Sequence, residues 1–149
     1  MNLINNFHNI IKNKNFYVPI ILAIILILLC NFFKSMCQPM MAKTLVNIAG
    51  FNIDMWALTH ILLYVYFGYC FPDYFIEFLI IGSAWELLES FFCLYRIPLE
   101  KIIGCNDLNN PRCRTNVGYK NCDYWYGRID DVVMNMIGFI IGAFLAKKY

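Results

Sequence analysis

Residues 74–95 read YFIEFLIIGSAWELLESFFCLY, and within them Trp85-Glu86-Leu87-Leu88-Glu89-Ser90 sets two carboxylates inside an otherwise apolar run. At about 1.5 Å per residue the run is long enough to cross a hydrocarbon core of roughly 30 Å. Glu86 therefore falls near mid-membrane. An acidic side chain left in lipid costs at least about 2.5–3.5 kcal/mol, so Glu86 and Glu89 must face other helices, water or a cation. Being three residues apart, they share one helical face.

The rest of the chain has the same character. Its 149 residues are 60% hydrophobic and 17% aromatic, with a mean hydropathy of +0.55, well to the apolar side of a soluble domain. The expected fold is an all-α, multi-pass integral membrane protein, with four transmembrane helices in a small bundle and one larger extramembrane loop. A net charge of +2 with scattered basic residues gives no stripe for a nucleic-acid backbone, and that class of partner is set aside.

Working outward from the glutamates, Pro72-Asp73 predicts a tight turn into a preceding span over 55–71 (MWALTHILLYVYFGYCF), which contains His60. Glu77 falls in the first turn of the 74–95 span, where water and the helix dipole suit an acid, and no special role is expected of it. Residues 1–16 read as a polar, Asn-rich tail. Residues 17–33 (YVPIILAIILILLCNFF) form an uncharged first span with Pro19 at its start, retained as an anchor since no small-x-small cleavage site follows. The connecting segment 34–54 holds MMAKTLVNIAGF, read as a short interfacial helix. Residues 96–128 form the large loop, 129–146 (IDDVVMNMIGFIIGAFLA) the last span, and 147–149 a basic tail.

The seven cysteines divide in two. Cys30, Cys70 and Cys93 lie in apolar runs, where a thiol behaves as a small hydrophobe. Cys37, Cys105, Cys113 and Cys122 lie in polar segments, with no CxxC and no zinc-finger spacing. A disulfide in the loop would require an oxidising compartment. Of the twelve Lys and Arg, eight fall on the side of the large loop and four on the side of the termini, which favours a cytoplasmic loop, while the basic first tail argues the other way.

The start of the 55–71 span, the end of the 74–95 span and the start of the last span share one side. Counting inward, His60 lies roughly 8 Å deep, Glu89 and Asn135 roughly 9 Å and Glu86 roughly 13 Å. Asp131, Asn135, Gly138 and Gly142 make one polar-to-small seam on the last span. Gly138-x-x-x-Gly142 is a GxxxG, suited to close packing within the chain or to a homo-oligomer face.

One reading of this set is polar glue, with Glu89 bonded to His60 or Asn135 and Arg128 reaching Asp131 or Glu86. The other is a pocket open to one leaflet. There His60, Glu86, Glu89 and Asp131 could hold a divalent cation. His60, Glu86 and Glu89 could instead act as general acids or bases. Either would suit a lipid headgroup or a lipid-linked sugar phosphate, with Arg128 meeting the phosphate and Asn135 lining the site. No nucleophile elbow, HExxH or P-loop is present. A small proton or cation pathway is a third use of the same residues.

His60, then Glu86-x-x-Glu89, then Gly127-Arg128-Ile129-Asp130-Asp131-x-x-x-Asn135-x-x-Gly138-x-x-x-Gly142 resembles the VanZ-like membrane family, a teicoplanin-resistance-type family. Its pattern is an early His, a Glu-x-x-Gln-type pair and an Arg…Asp-x-x-x-Asn-x-x-Gly-x-x-x-Gly opening to the last span. The resemblance covers roughly residues 55–146; Glu89 stands where the family usually has Gln, and the loop is longer and richer in Cys. It implies a four-helix integral membrane protein whose buried polar residues belong to one site, and it names no reaction.

Overall fold

Asn13 divides the first helical stretch in two: its side-chain oxygen accepts the Asn15 N–H at 3.0 Å and caps a new helix. In this computed structural model, which describes residues 3–33, 40, 41, 43, 45–48, 51–95 and 129–148, helix α1 (Leu3–Lys12) and helix α2 (Lys14–Phe32) meet there at a bend of 65°. Residues 3–12, expected as part of a polar tail, are thus an amphipathic helix. Leu3, Phe7 and Ile10 recur at i, i+4 and i+7, and Ile10 is 1% exposed in the core. Because α2 starts at Lys14, Pro19 lies inside it and leaves the Asn15 carbonyl without its helical donor.

The connecting segment also departs from expectation. Val46–Ile48 (β1) and Phe51–Ile53 (β2) pair antiparallel, Val46 with Ile53, Asn47 with Asn52 and Ile48 with Phe51, in the later part of the stretch expected as a short helix, of which Met40 and Met41 are helical. The physical reason is an alternation of β-branched or aromatic residues with Asn on either side of a two-residue connection, a pattern of period two. Asp54 then caps helix α3 (Met55–Cys70), its Oδ1 accepting the Ala57 N–H at 2.8 Å. The turn at Pro72-Asp73 falls as expected, with the Tyr74 N–H donating to the Phe71 carbonyl at 3.1 Å. Helix α4 (Phe75–Tyr95) follows, and helix α5 (Ile129–Lys148) ends on Lys147 and Lys148, which face its negative dipole end. The loop 96–128, with Cys105, Cys113, Cys122 and Arg128, lies outside the described residues.

Helix α5 packs backbone to backbone on α3. A Cβ placed on Gly138 would sit 2.5 Å from the Ile61 carbonyl oxygen, and one on Gly142 or Gly68 would collide with the Val65 or Phe139 carbonyl. The Gly138/Gly142 seam is therefore buried within the chain. Helices α3 and α4 meet instead through aromatic rings. Phe78, fully buried, lies 4.8 Å from Phe67, 5.3 Å from Phe139 and 5.4 Å from Phe71 between ring centroids, and Phe16 of α2 joins the same cluster.

Glu77 is a third departure. Expected near water, it is 0% exposed, and Asn6 of α1 donates to its Oε1 at 2.6 Å. The docking of α1 shields this carboxylate from water. Cys30 is disulfide-bonded, not a free thiol as its apolar setting suggested, whereas Cys70 is free.

Among the described residues one helix, Ile129–Lys148, is by itself long and apolar enough to cross a membrane; α1 and α2 pass the same test only as a bent pair, and Met55–Cys70 is apolar but shorter.

Phe78→Ala should destabilise the bundle by roughly 3–5 kcal/mol in detergent unfolding, against less than about 0.5 kcal/mol for Leu87→Ala, whose side chain is exposed. Asn6→Ala should leave Glu77 without its donor at a cost of about 1–3 kcal/mol. Faster trypsin cleavage at Lys12 and Lys14 would show that α1 has been released.

Candidate functional site

The polar end of the bundle is built from the first turns of α3 and α5 and the last turns of α4. The Asp54 cap fixes where α3 starts, and His60 follows on its second turn. Its Nδ1 lies 3.0 Å from Asn135 Oδ1 on α5 and 4.0 Å from Glu86 Oε1 on α4. A carbonyl oxygen only accepts, so this contact places the imidazole proton on Nδ1 and leaves the lone pair on Nε2. The His60 side chain retains 20% of its accessible surface while Glu86 keeps 7%. His60 is therefore the more open edge of the cluster and Glu86 its floor.

Glu86 and Glu89 share a face of α4, both buried, and Glu89 takes a hydrogen bond from the Trp85 side chain. Asp131 and Asn135, one turn apart on α5, are buried as well. Of the residues expected from sequence, His60, Glu86, Glu89, Asp131 and Asn135 thus converge on one end of the bundle. Ligand atoms of His60, Glu86 and Asp131 all lie within 4.8 Å of one another. Glu89 stands beside that triad, within electrostatic reach of Glu86 and Asp131.

Two supporting residues escaped the sequence reading. Tyr64, one turn beyond His60, donates a long hydrogen bond to the Phe78 carbonyl at 3.4 Å. Gly82, one turn before Glu86, lets α4 pass over it: a Cβ there would sit 2.6 Å from the Tyr64 hydroxyl and 3.0 Å from Asn135 Nδ2. A cavity of about 10 Å³, room for one water, lies between these residues and Phe139. The signals were available: Tyr64 is four residues from His60, and Gly82 interrupts an aliphatic run.

Chemically, the arrangement is a buried set of three carboxylates, one imidazole and one amide. It can accept hydrogen bonds, exchange a proton between His60 and Glu86, or coordinate a cation; its charge favours positive ligands. Gly82→Val should cost about 1–3 kcal/mol through overpacking. Because the displaced groups are Tyr64 and Asn135, the His60 ring resonances should shift in NMR spectra while those of Phe144, exposed near the other end of α5, do not.

Comparison with protein-family models, with curated proteins and with solved structures returned no match to this chain.

Proposed function

We propose that this chain is a multi-pass helical membrane protein of VanZ-like type whose polar pocket, formed by His60, Glu86, Glu89, Asp131 and Asn135, binds the headgroup of a membrane lipid or lipid-linked amphiphile. The observation that carries the reading is the meeting of His60, Glu86 and Asp131, from three apolar helices, within 4.8 Å. Arg128, the residue that precedes Ile129 in sequence, is the candidate for a phosphate contact.

The outer surface supports the membrane setting. Ile21, Leu22, Ile24, Ile25, Leu28 and Leu29 are exposed on α2, and α4 and α5 add Ile80, Leu87, Phe91, Ile140, Ile141 and Phe144. An apolar surface on that scale needs lipid or protein cover. Four spans then place the pocket and the Cys30 end of α2 on one side. The disulfide on Cys30 argues that this side faces an oxidising compartment, opposite to the side that the Lys and Arg count favours.

A second reading has its own support. The His60–Asn135 bond joins two helices already in backbone contact, as a polar lock would. Native mass spectrometry of protein released from its own membrane separates the two. A stoichiometric lipid adduct on the wild type that is lost in Glu86→Gln/Glu89→Gln, with the fold retained, is the expected result. Bare protein in both samples, with the double mutant less stable, would leave only the lock.

A further inference from the structure

We propose that His60, Glu86 and Asp131 hold a single divalent transition-metal ion, of the zinc or manganese class, at the floor of the pocket. This rests on reading these residues as a ligand pocket, and it names the ion that makes an acidic pocket fit for a phosphate-bearing headgroup. Without a cation, three carboxylates would repel a phosphate. An ion held between them reverses the local charge and presents an open coordination position to the phosphate oxygens.

The geometry is close to what one ion requires. Nitrogen and oxygen ligands sit about 2.0–2.2 Å from a tetrahedral zinc ion, so neighbouring ligand atoms are about 3.3–3.6 Å apart. The triad atoms, all within 4.8 Å of one another, would draw in by up to about 1.3 Å around such an ion, a movement that rotation of the side chains can supply. The donor set is also selective. One imidazole with two carboxylates suits zinc or manganese, while magnesium and calcium prefer oxygen alone.

A second feature is independent of those distances. Metal-binding histidines commonly donate their other ring N–H to a carbonyl or carboxylate, which fixes the tautomer. Asn135 Oδ1, 3.0 Å from His60 Nδ1, does this for an ion held on Nε2; because Nδ1 is also the nitrogen 4.0 Å from Glu86 Oε1, loading the ion requires the ring to turn its Nε2 edge toward the carboxylates. The positions also come from three helices, α3 and α5 in backbone contact at Gly138 and Gly142 and α4 packed on them at Gly82 against the Tyr64 and Asn135 side chains, so the ligands are preorganised instead of being gathered from mobile loops. Glu89, buried beside the triad, is the candidate fourth group.

The test uses full-length protein in detergent, stripped with chelator and titrated with zinc alone, then with manganese alone. One equivalent should bind. His60→Gln, Glu86→Gln and Asp131→Asn should each weaken binding by more than about 100-fold, and Asn135→Leu by 10–100-fold, the range for an outer partner. Glu77→Gln, at the opposite end of α4, should bind as the wild type does. Because a triad variant could misfold, X-ray absorption of the zinc-loaded wild type gives a separate readout: one nitrogen and two or three oxygens near 2.0–2.2 Å, with no sulfur. Absence of a bound equivalent in folded wild type, sulfur in the shell, or binding unchanged in all three triad variants would overturn the proposal. Lipid adducts measured by native mass spectrometry in excess chelator keep the two readings apart: an adduct that persists while zinc fails to bind sinks the ion and leaves the pocket.

Discussion

The close approach of α3 and α5 is the constraint on which the rest of this structure depends. Gly68 on α3 and Gly138 and Gly142 on α5 each face a carbonyl of the other helix, with no space for a Cβ. With no room for a side chain at these positions, the association of the two helices rests on backbone contact and on the polar contacts beside it. Once the backbones are this close, Asn135, one turn before Gly138, can reach His60 only across the same seam. The 3.0 Å contact between them follows from the glycines.

Helix α4 is held differently. It touches α3 through side chains, with Phe78 wedged among Phe67, Phe71 and Phe139. That hub sits near the Pro72-Asp73 turn and carries the amphipathic helix α1 with it, through Ile10 and the Asn6–Glu77 bond. The two ends of the bundle are thus specialised. The turn end is aromatic and closed, with a single carboxylate shielded by α1, whereas the other end gathers Glu86, Glu89 and Asp131 around His60. Glu77 and Glu86 are nine residues apart on one helix, about 14 Å, and have unrelated partners.

How much was legible in the sequence varies with the range of the interaction. The helices at Met55–Cys70, Phe75–Tyr95 and Ile129–Lys148 follow from long apolar runs, and the grouping of His60, Glu86, Glu89, Asp131 and Asn135 follows from counting depth along them. The β1/β2 hairpin was missed because its strands are only three residues each, too short for a period of two to stand out beside a helical reading. Helix α1 was missed because its Asn-rich composition masked the Leu3, Phe7, Ile10 spacing. Glu77 was misplaced for the same cause, since its burial is supplied by α1, seventy residues away in the chain. Cys30 looks like any thiol in an apolar run; only a partner makes it a disulfide.

The sequence by itself determined that this chain is helical, that its helices are apolar on most of their surface, and that a small set of polar groups must find one another. Hydrophobicity and helical period are local quantities, and the cost of an unsatisfied carboxylate applies wherever it sits. Only the tertiary structure decided which groups meet. It set Asn135 on His60, brought Asp131 to Glu86, left Glu89 beside them, and gave Glu77 to Asn6. Those choices depend on helix rotation and separation, fixed here by glycine contacts and one aromatic hub acting across the chain.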